Sequence, residues 1–258
     1  TAVNVTSGGV LNIGGSVSAG GWGNNAQRSG SFTIASDSQV NMTGNGTRLD
    51  LKAGTYGVKF STTPTNGTFS LPVASPGRAA ADLWMANAVD NWTLTSTLNV
   101  AAGSTAQFNE VKLAWENTQS AATLNVGANS TVAINGSGYF GGRNAYANTD
   151  QGRATVSVGD GGTVSVAGNA LVGGQSTLNL NTSGVMSVAG SLYLGGNGVP
   201  TTVTLGSGSQ LNVAGDLGLA DGDYTGLAIV NAPSGGKLSL STSSALDIRP
   251  RGADATVT

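Results

Sequence analysis

The sequence predicts an all-β protein, a right-handed parallel β-helix (β-solenoid), because one phrase recurs along the chain. It reads ATVSVGDGGTVSVAGNALVGG at 154–174, TLNLNTSGVMSVAGSLYLGG at 177–196 and VTLGSGSQLNVAGDLGLA at 203–220. Each copy contains two short alternating strands joined by a Gly/Ser turn and then a third strand. Repeats of about 20 to 50 residues are typical of solenoids, in which each unit buries its apolar face against its neighbours. We therefore expect residues 1–258 to form a single β-helix domain.

The first and second strands of each repeat alternate between apolar and polar residues, as in Leu98-Asn99-Val100 and Val164-Ser165-Val166. Period-two alternation places the outer two residues of each triplet on one face and the middle residue on the other. The third strand has the same form in Leu83-Trp84-Met85 and Leu192-Tyr193-Leu194. Three strands and about six inward side chains per coil, with Gly, Asn and Ser at the corners, fit a triangular cross-section.

Alignment on the first strand predicts nine coils and a rod roughly 40–45 Å long at the strand spacing of parallel sheets. A β-sandwich or propeller is the alternative, but both need tight turns between antiparallel neighbours, and the repeat length fits a closed coil better. The predicted coils begin near Ala2, Ser31, Thr68, Thr97, Ala122, Arg153, Ser176, Thr201 and Leu227.

Coils two and three depart from the repeat, with irregular insertions predicted at about 44–67 and 72–82. Pro72 and Pro76 cannot donate to a strand ladder, so the second stretch should bulge outward, and Ser75-Pro76 could open a short helix. These segments are either tolerated insertions or a binding or assembly loop.

The amino-acid composition excludes several kinds of catalytic site and of binding partner. The chain has no Cys and no His, so disulfides, thiolate chemistry and Ser–His or Cys–His nucleophiles are excluded. Eleven basic residues are scattered singly, which argues against a nucleic-acid partner. No run approaches the ~18 apolar residues of a membrane span. The chain opens directly on a strand, as a mature secreted chain would after cleavage, so we expect it to be secreted or displayed at the cell surface.

An enzyme of the polysaccharide lyase or hydrolase type would need clustered carboxylates. The best cluster is Asp216, Asp221 and Asp223, which could also ligate Ca²⁺, although the spacing matches a calcium loop poorly and a solvated turn fits as well. We predict no catalytic residues and no required cofactor.

The outward positions give two further expectations. Strand three presents Trp84, Tyr139, Leu171 and Tyr193, with Trp22 and Trp115 near the corners; this face could bind a glycan or a protein, or loops could cover it. Strands one and two each present a flat, uncharged polar wall that could serve solubility alone or form a hydrogen-bonded ladder. Flat β-helix walls also bind ice, but the middle residues do not form the regular Thr-x-Thr array expected for that activity. Those of strand one are Asn4, Thr33, Ser70, Asn99, Asn125, Ser157, Asn179 and Thr204.

Both ends of the sequence carry a first-strand motif. Either the chain polymerises head to tail, or it is a fragment whose cap or anchor lies beyond Thr258, or it forms domain-swapped dimers. The predicted assembly interface comprises Ala2, Val3, Asn4 and Val5 at one end and Ala255, Thr256, Val257 and Thr258 at the other.

The phrases STLNV, GSGSQLNVAGDLGLA and GSLYLGGNG resemble the passenger repeats of autotransporter-type adhesins and the Gly/Asn-rich repeat exoproteins of Gram-negative bacteria. The resemblance covers most of the chain and implies a secreted β-helix in adhesion, biofilm matrix or surface fibres. The passenger's C-terminal membrane barrel is not in this sequence. The sequence therefore predicts a non-enzymatic extracellular structural protein that stacks end to end into a filament or matrix fibre. The alternatives are a monomeric adhesin that binds a glycan or a host surface, and a polysaccharide-degrading enzyme.

Overall fold

The computed structural model describes strands along the whole chain. It describes side chains at Leu11 and within 82–86, 95–100, 102–103, 105–115, 120–142, 152–173, 175–195, 201–219, 228–232 and 235–241.

The strands alternate with short turns in a repeating order of three. The first ten are β1 (Ala2–Val5), β2 (Val10–Ile13), β3 (Val17–Ala19), β4 (Ser31–Ile34), β5 (Gln39–Met42), β6 (Arg48–Leu51), β7 (Gly54–Val58), β8 (Thr68–Phe69), β9 (Val73–Ala74) and β10 (Arg78–Ala79). The next ten are β11 (Asp82–Met85), β12 (Thr95–Val100), β13 (Thr105–Phe108), β14 (Val111–Leu113), β15 (Ala121–Val126), β16 (Thr131–Ile134), β17 (Gly138–Phe140), β18 (Arg153–Val158), β19 (Thr163–Val166) and β20 (Ala170–Val172). The last ten are β21 (Thr177–Leu180), β22 (Val185–Val188), β23 (Leu192–Leu194), β24 (Pro200–Leu205), β25 (Gln210–Val213), β26 (Leu217–Leu219), β27 (Leu227–Asn231), β28 (Lys237–Leu240), β29 (Leu246–Ile248) and β30 (Ala255–Val257).

Equivalent strands of successive coils pair in parallel and form three sheets. The first sheet has ten strands in the order β1-β4-β7-β12-β15-β18-β21-β24-β27-β30. The second sheet runs β8-β13-β16-β19-β22-β25-β28, with β2 and β5 paired separately, and the third runs β3-β6-β11-β14-β17-β20-β23-β26-β29. The fold is therefore the predicted parallel β-solenoid, built from three-strand coils.

Nine coils were predicted, and the number of turns that the structure describes in full is smaller. Five consecutive turns, from β12 to β26, have all three of their strands described with side chains. Outside these turns the structure describes mainly the course and the pairing of the strands. The statements on packing below refer to the described side chains.

The predicted start of the third coil at Thr68 is wrong. Thr68 lies in the second sheet, opposite Thr105, whereas the first-sheet strand of this coil is β7, which pairs with β12. The predicted insertion at 44–67 therefore contains two regular strands, β6 of the third sheet and β7 of the first. The segment has a strand-like run, but β7 does not follow the repeat because Gly57 takes the position at which Asn99 has the polar residue.

The second irregular stretch, 72–82, contains an antiparallel pair instead of the short helix that Ser75-Pro76 suggested. Strands β9 and β10 pair with each other, with Ala74 opposite Arg78, and β11 then rejoins the third sheet. Ser75 and Pro76 themselves lie outside the described residues. The extra chain is accommodated as a small hairpin between the second and third sheets.

The core follows the period-two pattern. In β15 the inward residues Ala122, Leu124 and Val126 are buried, and the intervening residues are half-buried. The same alternation recurs in β12, β16, β18, β21 and β25. The inward side chains of all three sheets form one hydrophobic cluster along the rod axis. Because each coil covers the apolar faces of its neighbours, stacking stabilises every strand at once.

Two corners of the coil restrict the residues they accept for different reasons: one needs a positive φ, and the other needs close approach of the backbone. At the corner after the first strand, one residue per turn has a positive φ, including Asn129 at 54° and Ser183 at 56°. At the corner between the second and third strands, glycines stack directly on one another. Gly168 donates to Gly136 O at 2.8 Å, and Gly190 donates to Gly168 O at 3.0 Å. The second corner therefore needs glycine for close backbone approach, because a Cβ on Gly190 would lie 2.7 Å from that oxygen.

Candidate functional site: an aromatic stripe on the third sheet

The outward positions of the third sheet form a continuous row, which we call the aromatic stripe. The strand registers align one residue per coil over five coils, a length of roughly 19 Å at the parallel strand spacing. The members in order along the rod axis are Trp84, Lys112, Tyr139, Leu171 and Tyr193.

Lys112 lies at the centre of an aromatic cluster at one end of the stripe. Its Nζ lies 4.7 Å from the ring centroid of Trp84, 4.3 Å from that of Trp115 and 6.0 Å from that of Tyr139. The ring centroids of Trp84 and Trp115 are 6.3 Å apart, as are those of Trp115 and Tyr139. These distances lie within the range of cation–π contacts and of tilted aromatic pairs, so the ammonium group holds three rings together.

The positive charge of this cluster is balanced locally. Lys112 Nζ forms an ion pair with Glu110 Oε2 at 2.8 Å, and the side chain of Lys112 is only 13% exposed. Nearby, Asn109 Nδ2 donates to Asp82 Oδ1 of the preceding coil at 2.9 Å. The stripe therefore offers aromatic surface without a strong net field, a character suited to an uncharged or weakly charged ligand.

Leu171 extends the apolar character of the stripe beyond the cluster. It occupies the outward position of β20, yet it is only 6% exposed. It is paired in register between Tyr139 and Tyr193, each of which is half-buried. Two flanking tyrosines and a leucine thus form a narrow apolar surface one side chain wide.

The stripe contains the three aromatic residues that the sequence predicted for this face, Trp84, Tyr139 and Tyr193, together with the predicted Leu171. They share one row as predicted, but Lys112 separates the first two. Trp115 was expected near a corner of this face, whereas Lys112 was not predicted to belong to it. The signal for Lys112 was present, since Val111-Lys112-Leu113 has the apolar–polar–apolar form of the third strand.

The nominated carboxylates are only partly described. Asp216 is exposed at a corner, where its backbone N–H donates to Ser191 Oγ at 3.1 Å. Asp221 and Asp223 lie outside the described residues. Within the described part of the chain, no three acidic, His or Cys side chains come close enough to hold a metal ion. Calcium binding at Asp216, Asp221 and Asp223 stays a prediction.

The predicted assembly residues lie at opposite ends of the first sheet. Strand β1 contains Ala2–Val5 and pairs with β4, and β30 contains Ala255–Val257 and pairs with β27. They stand first and last in the order of the ten strands. Thr258 lies outside the described residues.

Side-chain hydrogen bonds join neighbouring coils on the outward faces of the first and second sheets. Asn125 Nδ2 donates to Asn99 Oδ1 at 2.7 Å on the first sheet, as expected for a ladder of stacked amides. On the second sheet, Asn212 Nδ2 donates to Ser187 Oγ at 3.4 Å. These bonds tie successive coils together through their side chains as well as through the backbone.

No membrane-crossing helix, which would have to be long and apolar, occurs among the described residues. The fold and its exposed rows define the chain as a repeat β-solenoid with three parallel sheets. No protein-family model, curated protein or solved structure significantly matches the chain.

Proposed function

We propose that the protein is a non-enzymatic, extracellular structural β-solenoid that forms part of a surface filament or a biofilm-matrix fibre. The observation that carries this proposal is the in-register stacking of parallel strands over ten strands of the first sheet. Such a stack makes a stiff rod in which each coil is a template for the next. The resemblance of the repeats to autotransporter passengers and Gly/Asn-rich exoproteins supports the extracellular setting.

Elongation of this fibre requires that one more coil be added at the ends of the stack. If Ala255–Val257 of one copy paired with Ala2–Val5 of the next, the first sheet would continue across the junction. A head-to-tail contact of this kind is heterologous and propagates into an open filament. Further coils of a longer chain would extend the same rod in the same direction.

Electron microscopy of the purified chain tests the proposal, beside a chain that lacks 253–258. We expect filaments whose axial repeat equals the length of one subunit, and we expect the truncated chain to form short rods. Addition of the truncated chain to the full chain should shorten the filaments, because a subunit without β30 stops growth at that end. Uniform short rods from the full chain at all concentrations would rule out end-to-end assembly.

A second candidate function, adhesion through the aromatic stripe, is supported by the cluster of Trp84, Trp115 and Tyr139 around Lys112. Rigidly held aromatic rings suit stacking on sugar rings or contact with a partner protein. We expect a glycan array to show binding that the double variant Trp84→Ala, Tyr193→Ala removes. Ser165→Ala, on the outward face of the second sheet, is the control that should bind normally. An array without signal for the wild-type chain would exclude a glycan adhesin of the classes printed on it.

A further inference from the structure

Six threonines occupy the same register position of the first sheet, one from each of six consecutive coils, and the last five, from Thr97 to Thr202, lie on its outward face. The registers of the paired strands place them directly opposite one another along the rod. We call this row the threonine rank; its members are Thr55, Thr97, Thr123, Thr155, Thr177 and Thr202. The three-residue strand motif predicts only its middle residue on this face, so the rank, which lies two residues earlier, falls outside the predicted polar wall.

A second polar row lies beside the threonine rank, two residues further along each strand. Its members in the five fully described coils are Asn99, Asn125, Ser157, Asn179 and Thr204. Every residue of this row, and every threonine of the rank from Thr97 to Thr202, is half-buried on the outward face. No charged side chain occurs in either row between Thr97 and Thr204.

Together the two rows form a two-dimensional array in which threonine occupies the first position in every coil and Asn, Ser or Thr occupies the second. Neighbouring coils are about 4.8 Å apart, and residues two positions apart on a strand are roughly 6.6 Å apart. Threonine is stiff at χ1, so its hydroxyl and methyl groups repeat at nearly the same positions from coil to coil. The inward neighbours Leu124, Val156 and Leu178 are fully buried, which fixes the backbone beneath the array.

A rigid array of hydroxyls at such spacings orders the water in contact with it. Water that bridges two protein groups is held almost as favourably as a direct hydrogen bond. The spacing between coils is close to an oxygen repeat of the hexagonal ice lattice, so the ordered layer can merge with an ice surface along the rod axis. The methyl groups limit competing water orientations, and the absence of charged side chains from the two rows removes strongly hydrated sites within them; the exposed Arg153 lies beside the rank, two residues before Thr155.

We propose that this face of the first sheet, from Thr97 to Thr204, is an ice-binding surface whose ligand is the lattice of crystalline water. The second sheet provides an internal comparison. Its own row of threonines, Thr105, Thr131 and Thr163, is followed by Val185, Gln210 and Lys237, so the regular array ends there after three described coils. Only the first sheet keeps the rank over the full set of described turns.

The test uses the full chain and two matched double variants. Thr123→Lys with Thr155→Lys changes the centre of the first-sheet face, and Thr131→Lys with Thr163→Lys makes the same change on the second sheet. Circular dichroism and thermal melts verify that all three chains fold. Each chain is then measured for partition into a slowly growing ice hemisphere and for thermal hysteresis.

We expect the wild-type chain and the second-sheet variant to enter the ice and to lower the freezing point below the melting point. The first-sheet variant should lose both properties.

Exclusion of the wild-type chain from ice would overturn the proposal, as would equal loss in both variants. If the lysine variants do not fold, Thr123→Ser with Thr155→Ser removes only the methyl groups, and unchanged ice partition in that folded variant would contradict the proposed role of the rank. Analytical ultracentrifugation of the same variants tests self-association through this face. If the first-sheet variant changed the sedimenting mass but still entered the ice, the face would bind a second copy of the chain and not ice.

Discussion

The backbone N–H of Gly190 donates to the carbonyl oxygen of Gly168 at 3.0 Å, and a Cβ on Gly190 would lie only 2.7 Å from that same oxygen. The same relationship holds between Gly215 and Gly190 one coil further on. This corner of the coil is thus closed by glycine backbone stacked on glycine backbone. Neither Gly168 nor Gly190 has a positive φ, so close approach is the reason that glycine is required here.

Gly190→Ala should therefore destabilise the protein by about 1–3 kcal/mol, the usual cost of forcing a methyl group into packed surroundings. Chemical denaturation monitored by circular dichroism measures this change. The control is Gly208→Asn at the other corner. Gly208 has a φ of 67°, and its Cβ position meets only Ser183 Oγ at 3.4 Å. Because Asn tolerates this conformation, we expect the control to change stability by less than about 0.5 kcal/mol. Equal losses would show that steric approach is not the cause.

Ser183 adopts a left-handed conformation, with a φ of 56°, at a position where another coil has Asn129. The left-handed region costs most L-residues roughly 1–2 kcal/mol, and Asn is less penalised because its side chain bonds locally. Ser183→Asn should raise the free energy of unfolding by a few tenths to about 1 kcal/mol. Thr182→Asn, at the exposed neighbouring residue, should give no such gain. A loss of stability in Ser183→Asn would contradict the backbone argument.

Gly138 faces the ring of Phe140 within the core. A Cβ on Gly138 would lie 2.7 Å from Phe140 Cζ, and Phe140 is 1% exposed, so the ring cannot move into solvent. Gly138→Ala should cost about 1–3 kcal/mol through overpacking. The cost should be smaller in a Phe140→Leu background, because leucine lacks the ring atoms that a Cβ at position 138 would contact. A double-mutant cycle by urea denaturation measures the coupling, and additive effects would show that the two side chains do not compete.

The Lys112 ammonium contacts both an ion-pair partner and aromatic rings, and two variants separate these contacts. Glu110→Gln removes the partly exposed ion pair and should cost less than about 1 kcal/mol. Lys112→Met keeps the aliphatic stem but also removes the cation–π contacts, which are worth about 0.5–2 kcal/mol. We expect Lys112→Met to be the more destabilising and to change tryptophan fluorescence more. Lys237→Met, on an exposed lysine of the second sheet, is the control. The reverse ranking would identify the ion pair as the main contribution.

The sequence was informative wherever a structural property repeats within a few residues. Alternation in stretches such as Leu124-Asn125-Val126 predicted the inward and outward faces, because side-chain direction in a strand has a period of two. Three strands per repeat, the parallel solenoid and the apolar core followed from the same local signal. The shared row of Trp84, Tyr139 and Tyr193 also followed, since each occupies the same place in its third strand.

Properties that depend on the stacking of one coil on the next were predicted less well. The third coil was misplaced because β7 lacks the usual polar residue and the hairpin of β9 and β10 adds extra chain. The presence of Lys112 between Trp84 and Tyr139 and the alignment of the threonine rank were also missed.

By itself the sequence determined which face each strand buries and that the chain winds into three-strand coils, because both are local consequences of period-two alternation. Only the tertiary structure decided which residue of one coil lies over which residue of the next. Register between strands depends on turn geometry and on packing against neighbouring coils, and the turns of this chain vary in length. The aromatic stripe around Lys112 and the threonine rank from Thr55 to Thr202 exist only once that register is established.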